Sequence, residues 1–175
     1  MPRIIVFDMN ETLLNLRAMD PHFKQAFGRS IARKEWFSQL IRSALVATIT
    51  DVYSDFSTLG GAALEMTAKR RGVSLDSDER AQILGSMRKL SPHAEVSESL
   101  FRLRNAGLRL AILTNSTAKV ADAQLKHAGL YEYFEQVLSA DSVHRLKPAA
   151  EPRKTSHANA MPATSPAQGA GWAVT

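Results

Sequence analysis

The chain has 175 residues, is 45% hydrophobic, and sets 22 Lys and Arg against 17 Asp and Glu for a formal charge of +5. That length suits one domain or a small core with an inserted lobe, and that apolar content excludes wholesale disorder. Without cysteine there is no disulfide, thiolate metal site or cysteine nucleophile. No apolar h-region opens the chain and no apolar run approaches ~18 residues, so neither a signal peptide nor a membrane span is expected, and the expected compartment is the cytoplasm.

Arg3 to Phe7 (RIIVF) is short, apolar and β-branched, which predicts a buried parallel strand. It ends in Asp8 and a polar knot, Met9-Asn10-Glu11-Thr12. From about Asp20 to Leu90 the pattern turns helical. Phe37, Leu40, Ile41, Ala44, Leu45, Thr48 and Ile49 recur at three- and four-residue steps, as do Leu59, Ala62, Ala63 and Met66. Lys69-Arg70-Arg71 would form a cationic last turn that suits the macrodipole, and Gly72 the stop. A third helix starts after Asp76, with Glu79 completing a capping box, and runs to about Lys89.

After Ser91-Pro92 strands and helices alternate. Val96, Leu100 and Leu103 mark a helix closed by Gly107, and Leu110 to Leu113 (LAIL) a second strand. Thr117 to Ala128 is a helix ending at Gly129, and Gln136 to Ser139 (QVLS) a weaker third strand. This alternation predicts an open α/β sheet with right-handed crossovers. The helical stretch between the first two strands is too long for a crossover and reads as an inserted lobe. From Pro148 the chain is rich in Ala, Pro, Ser and Thr without period, and reads as a disordered tail.

Some chemistries find no support. Aromatic and basic residues do not interleave, so nucleic acid is not the expected partner; mild positive charge suits small anionic substrates better. His22, His93, His127, His144 and His157 share no ligand spacing, so neither a metal site nor a cofactor is expected. Ser116 and Ser142 have no evident histidine base for a serine-hydrolase mechanism.

In open α/β sheets ligands bind beyond the carboxyl ends of the strands. Asp8 ends the first strand, Thr114-Asn115-Ser116 the second, and Lys147 follows the third. Singly, Asp8 could cap a turn, Thr114 a helix, and Lys147 be a solvated loop lysine; together they make a candidate site. A carboxylate can attack as a nucleophile, a nearby lysine favours its ionised form, and hydroxyl and amide groups supply donors for substrate oxygens or a leaving anion.

The segments FDMNETL, AILTNST and LKP, in that order and spacing, resemble motifs one to three of the haloacid dehalogenase superfamily. The longer stretches LSPHAEVSESLFRLRNAGLRLAILTNST and LKHAGLYEYFEQVLSADSVHRLKP are similar to its type II L-2-haloacid dehalogenases, and the resemblance covers roughly residues 2 to 152. It implies an α/β, Rossmann-like parallel-sheet core of residues 1–15 and 91–152. Residues 16–90 would form a helical cap, and 153–175 a disordered or non-homologous tail.

By this resemblance Asp8 is the nucleophile that displaces halide to give an aspartyl ester, Thr12 orients its loop, and Lys147 keeps it ionised. Thr114 and Asn115 bind the substrate carboxylate or hold the nucleophile. Phosphatase members carry a general acid/base aspartate where this chain has Asn10, and an amide has no proton to exchange in that role, so phosphate-ester hydrolysis and its Mg²⁺ are disfavoured. The dehalogenases carry tyrosine there, so Asn10 departs from both. Matching the cap tryptophan to Trp36 puts Phe37 where the dehalogenases have a substrate-binding arginine, with Arg42 a conceivable substitute. Asn10, Asn115 and Trp36 are candidate halide donors. Trp36 and Phe37 also read as cap–core contacts or as an aromatic lining for a small apolar substrate.

Past LKP the resemblance stops. Arg153 stands where a tyrosine is expected, Glu151 is the last acidic residue, and no motif-four strand and acid follow. A frameshift or truncation near residue 152 is the expectation. The core is then incomplete at its C-terminus, with an uncovered apolar edge and a homodimer as candidate assembly. The expected function is a hydrolase acting on the carbon–halogen bond of a short 2-haloalkanoic acid. The rivals are an inactive remnant or binding protein on the same core, and a phosphatase-like hydrolase.

Overall fold

The computed structural model describes residues 3–152 and 154. The expected tail, 153–175, lies outside the described residues apart from Lys154, and with it most of the sequence read as replaced.

Three parallel strands form the sheet: β1 (Ile4–Phe7), β4 (Arg109–Thr114) and β5 (Gln136–Ser139), in the order β1-β4-β5. Ile4 lies opposite Arg109 and Phe7 opposite Ile112, while Thr114 lies opposite Ser139. This register brings the carboxyl ends of all three strands to one edge. β4 is central, and Leu110 to Thr114 are all buried. β1 corrects an expectation. It is parallel, but every one of its residues is only half-buried, because among the described residues it pairs on one side alone. An apolar β-branched run reads the same in a central and an edge strand; only its partners distinguish them.

Helix α5 (Val96–Asn105) leads into β4, and α6 (Ala118–His127) carries the chain from β4 to β5. Gly107 ends the first of these connections at φ 76°, a left-handed conformation that costs glycine nothing. Phe7 on β1 meets Phe134 edge to face, the centroids 6.2 Å apart.

Between β1 and α5 the chain makes its helical excursion. It leaves through β2 (Leu14–Asn15) and returns through β3 (Ser91–Pro92), which pair antiparallel. Two-residue strands are too short to show alternation, so sequence reading passes over them. The excursion holds α1 (Asp20–Phe27), α2 (Ile31–Ile49), α3 (Phe56–Arg71) and α4 (Ser77–Ser86). α1, eight residues long, did not stand out from the run that follows it. The other three lie where the periodicity put them. α3 begins at Asp55, whose side chain accepts the N–H groups of Ser57 and Thr58, and ends at Gly72 with φ 64°. α4 begins with the expected capping box of Asp76 and Glu79. The basic turn of α3 is held by more than the macrodipole: Arg71 grips Glu35 of α2 through two hydrogen bonds of 2.8 and 2.6 Å, and Arg70 reaches Gln39. No helix of the described residues is long and apolar enough to cross a membrane.

Candidate active site

β1 delivers Asp8 to the edge where the strands end, and the chain then turns sharply through Glu11 at φ 64°. The Met9 carbonyl accepts the N–H groups of Leu13 and Leu14, which closes this turn. Glu11 takes the Leu16 N–H on one carboxylate oxygen and faces the buried Arg33 of α2, which also grips Asp20 at 2.6 Å. The turn behind Asp8 is thereby fastened to the first helices of the excursion.

Lys147 closes on Asp8 from the loop after β5. Its Nζ donates to Asp8 Oδ1 at 2.6 Å and to the Leu113 carbonyl at 2.7 Å. An ammonium has three donors, so one remains for another acceptor. Asn115 holds this lysine from β4: its Oδ1 accepts the Lys147 backbone N–H at 2.7 Å, and its Nδ2 lies 3.5 Å from the Lys147 carbonyl. Thr114 is fully buried, and its hydroxyl accepts the Ser116 N–H at 3.1 Å. The residues that follow the three strands therefore form one connected floor.

Asn10 is the keystone of a second bracket. Its Nδ2 donates to Ser116 Oγ, and its Oδ1 accepts from Gln124 Nε2, both at 3.1 Å. Gln124, fully buried on α6, also donates to the Met87 carbonyl at 2.7 Å. That carbonyl can only accept, so it fixes which end of the Gln124 amide faces Asn10, and Gln124 in turn fixes Asn10. Ser139 Oγ completes the bracket by donating to the Ser116 carbonyl. Sequence reading missed Gln124, Ser139 and Met87. The one available signal was a polar residue between Ala121 and Leu125 on the apolar face of α6.

A cavity of about 330 Å³ lies over this floor. Asp8, Asn10, Thr114, Asn115 and Lys147 line it below. Phe37, Ile41 and Leu45, spaced four residues apart on α2, and Phe56 at the start of α3 supply its apolar lining. The structure thus brings together Asp8, Asn10, Phe37, Thr114, Asn115 and Lys147, and separates the others. Trp36 is 1% exposed, packs on Phe23 and gives its indole N–H to the Gly60 carbonyl at 2.9 Å, so it neither lines this cavity nor has a donor to spare. Trp36 therefore has no indole hydrogen to offer a halide over Asp8; its packing partners Phe23, Phe37 and Gly60 lie within the excursion, and its ring lines a neighbouring cavity instead. Arg42 is exposed, hydrogen-bonded to Gln39 and outside the lining, so it does not replace the arginine missing at Phe37. Thr12 is exposed and makes no hydrogen bond to Asp8 among the described residues, since main-chain hydrogen bonds hold the turn instead.

A second seam joins excursion and core. Tyr53 donates to Asp141 and packs on His144, while Arg145 pairs with Asp51. Burial raises the Tyr53 phenol above its ordinary range, and the Asp141 carboxylate raises it further, so it stays a donor. Among the described residues no cluster of three or more His, Asp or Glu could hold a metal ion.

A model of the haloacid dehalogenase-like hydrolase family matches residues 2–155. The chain is 32% identical over 147 residues to the (S)-2-haloacid dehalogenase of Pseudomonas sp. (strain YL), across 82% of this chain and 63% of that protein. It is 25% identical to the (S)-2-haloacid dehalogenase H-109 of Pseudomonas putida, across 82% of this chain and 65% of that protein. The fold superposes on the L-2-haloacid dehalogenase of Xanthobacter autotrophicus with a TM-score of 0.85 at 24% identity, covering 95% of this chain and 67% of that one. Another crystallised L-2-haloacid dehalogenase gives 0.86 at 26% identity, covering 93% and 74%. The chain spans less than two thirds of the length of these two curated relatives.

Proposed function

The chain belongs to the haloacid dehalogenase-like hydrolase family, and from that premise we propose that it displaces halide from C2 of a short 2-haloalkanoic acid through an aspartyl ester on Asp8. The observation that carries this reading is Lys147 Nζ, 2.6 Å from Asp8 Oδ1, on the floor of a cavity whose remaining walls are largely apolar. We take residues 1–15 and 91–152 as the catalytic core and 16–90 as its cap.

In the first step an Asp8 oxygen bonds to C2 as the carbon–halogen bond breaks, and the bonding pair leaves with the halide. A carboxylate suits this displacement because no proton has to be removed from it. Thr114, Asn115 and the free donor of Lys147 hold the substrate carboxylate, and the second Nδ2 hydrogen of Asn10 serves the halide. Phe37, Ile41, Leu45 and Phe56 give the attacking anion an apolar wall, although Asp8, Ile41 and Leu45 remain open to solvent in this structure. In the second step water adds to the ester carbonyl of Asp8, and the ammonium of Lys147 stabilises the oxyanion. Cleavage returns the Asp8 carboxylate and releases a 2-hydroxy acid and a proton.

Magnesium chemistry does not suit the donor set. Among the described residues Asp8 is the one carboxylate in the lining and is already paired with an ammonium, while Asn10 is neutral and engaged by Ser116 and Gln124. A phosphatase-like reaction, which needs that metal and an acid/base at Asn10, is therefore disfavoured. A binding protein or inactive remnant on this core is the second reading, favoured by the half-buried β1 edge and by a lining that, among the described residues, has no second carboxylate or histidine to activate water. Val46, Ile49 and Val52, apolar and exposed around the end of α2, are where we place a homodimer contact.

The test is chloride release from L-2-chloropropionate, run beside p-nitrophenyl phosphate with Mg²⁺. Chloride release abolished by Asp8→Asn supports the dehalogenase reading. Folded protein that turns over neither substrate supports the binding-protein reading. Phosphate release overturns the role given to Asn10.

A further inference from the structure

A second cavity, about 290 Å³, lies beside the one over Asp8. The two share Phe56 as a wall. Ser116, which lines the second, is hydrogen-bonded to Asn10, which lines the first. Its inner end is buried at Trp36, Leu40, Gly60 and Ser116, and it reaches the surface at Ala81, Gly85 and Arg88. A volume close to ~300 Å³ is the lower end of what small-molecule sites occupy.

Two glycines in its walls have no conformational reason to be glycine. Gly60 sits inside α3 and Gly85 in the last turn of α4, neither at positive φ. A Cβ at Gly60 would meet Leu40 and Trp36 at 3.9 Å, an ordinary contact, and at Gly85 would meet nothing within 4 Å. Within a helix glycine is less favourable than alanine, because it loses more backbone freedom on folding. What the two share is that a side chain at either would stand against or inside this cavity.

We propose that this cavity is the second compartment of the substrate site, and that it takes an apolar arm of several methylenes on the acid whose C2 faces Asp8. The inference rests on the dehalogenase reading for the identity of the head group and extends it: the acid need not be short. Phe56 is the partition the arm passes, and Arg88 puts a cation at the outer mouth, where it draws anions in. Ser116 and Asn10 form the polar corner between the two compartments, so the head stays with the donors and the arm with Trp36, Leu40 and Leu84.

Titration calorimetry with octanoate and propionate tests this without turnover, because neither carries a leaving group. Each buried methylene adds about fourfold in affinity, so octanoate should bind at least ~10-fold tighter than propionate, in the wild type and in Asp8→Asn alike. Gly85→Leu fills the cavity from α4, and Ala81→Leu fills it from the same helix should the first variant not fold; either should bring the octanoate-to-propionate ratio toward one. Equal affinities in the wild type, or a ratio that both folded variants leave unchanged, overturn the proposal. If the octanoate preference is present but no halide is released from 2-chloropropionate or 2-bromooctanoate, the dehalogenase reading falls while the compartment stands. Halide release without any chain-length preference does the reverse.

Discussion

The floor and the roof of the Asp8 cavity are built on opposite principles. The floor is polar and cross-linked over long stretches of sequence: Asp8 to Lys147, Asn115 to Lys147, Asn10 to Ser116 and Gln124. The roof is apolar and local, with three of its members on one stripe of α2 and Phe56 on α3. A polar group under an apolar roof costs free energy unless each donor and acceptor is met, and the floor meets nearly all of its own. Under the proposed reaction the floor makes and breaks bonds and the roof chooses the substrate. Changes below should therefore abolish reaction, and changes above should redirect it.

The sharpest way to break this division is Asp8→Asn, which keeps the shape and removes the nucleophile. Chloride release should fall by at least ~10³-fold, read with an ion-selective electrode. Lys147→Met comes next. It takes the ammonium from both the attacking carboxylate and the ester oxyanion, and should cost roughly 10²–10³-fold in kcat, the scale of losing an oxyanion donor. A near-normal rate in Lys147→Met would show that the floor does not act as a unit.

In the proposed second step the attacking water must lose a proton, and among the described residues the cavity lining holds no second carboxylate and no histidine to take it. Ester formation should then outrun ester cleavage. A stopped-flow trace with excess 2-chloropropionate should show a burst of about one halide per chain before a slow phase. Intact-mass spectrometry of the quenched mixture should find the substrate's acyl skeleton on the protein, and peptide mapping should place it on Asp8. Linear release from the first turnover would show that water is activated by a group the lining does not reveal.

The roof is tested by giving it a charge. Phe37→Arg places a guanidinium in the lining opposite the floor, where it can attract a carboxylate or halide. A gain of about 1.4 kcal/mol, or tenfold, in kcat/KM for 2-chloropropionate is expected. A loss would mean that desolvation by the aromatic ring matters more than attraction.

Much of the floor was legible in the sequence because its members sit at strand ends, where apolar runs stop on a polar letter. Asp8, Thr114 and Asn115 announce themselves in this way, while Lys147, in the loop past β5, was marked by the LKP segment. The roof was only half legible. The four-residue stripe of α2 was clear, but periodicity tells that a helix has an apolar face and not what that face meets, so Trp36 and Phe37 were given one fate. The structure packs the first against Phe23 and Gly60 beside the second cavity, and sends the second to the Asp8 cavity. Gln124 was hidden for a related reason: a glutamine on an apolar helix face signals burial only when its partners, Asn10 and Met87, are known to lie beside it. The half-exposure of β1 was out of reach because strand order is a property of the whole sheet.

The smallest effect belongs where roof and scaffold meet. Phe56 begins α3, and Asp55 caps that helix through the N–H groups of Ser57 and Thr58 and the Thr58 hydroxyl. Burial of Asp55 opposes its charge, but the Thr58 hydroxyl and the backbone donors outweigh it and hold its carboxyl below the usual range. A depressed folded-state pKa contributes stability that is present above the unfolded value and lost as pH falls through the folded one. Asp55→Ala should therefore cost about 1 kcal/mol at neutral pH, roughly 2–4 °C in Tm for a chain of this size. The difference from wild type should shrink as pH drops below the ordinary carboxylate range. Because the cap sets the first turn of the helix that carries Phe56, the same substitution should blunt substrate discrimination more than the rate of halide release. A variant that lowers Tm with discrimination intact would separate the cap's stabilising role from any role in aiming the roof.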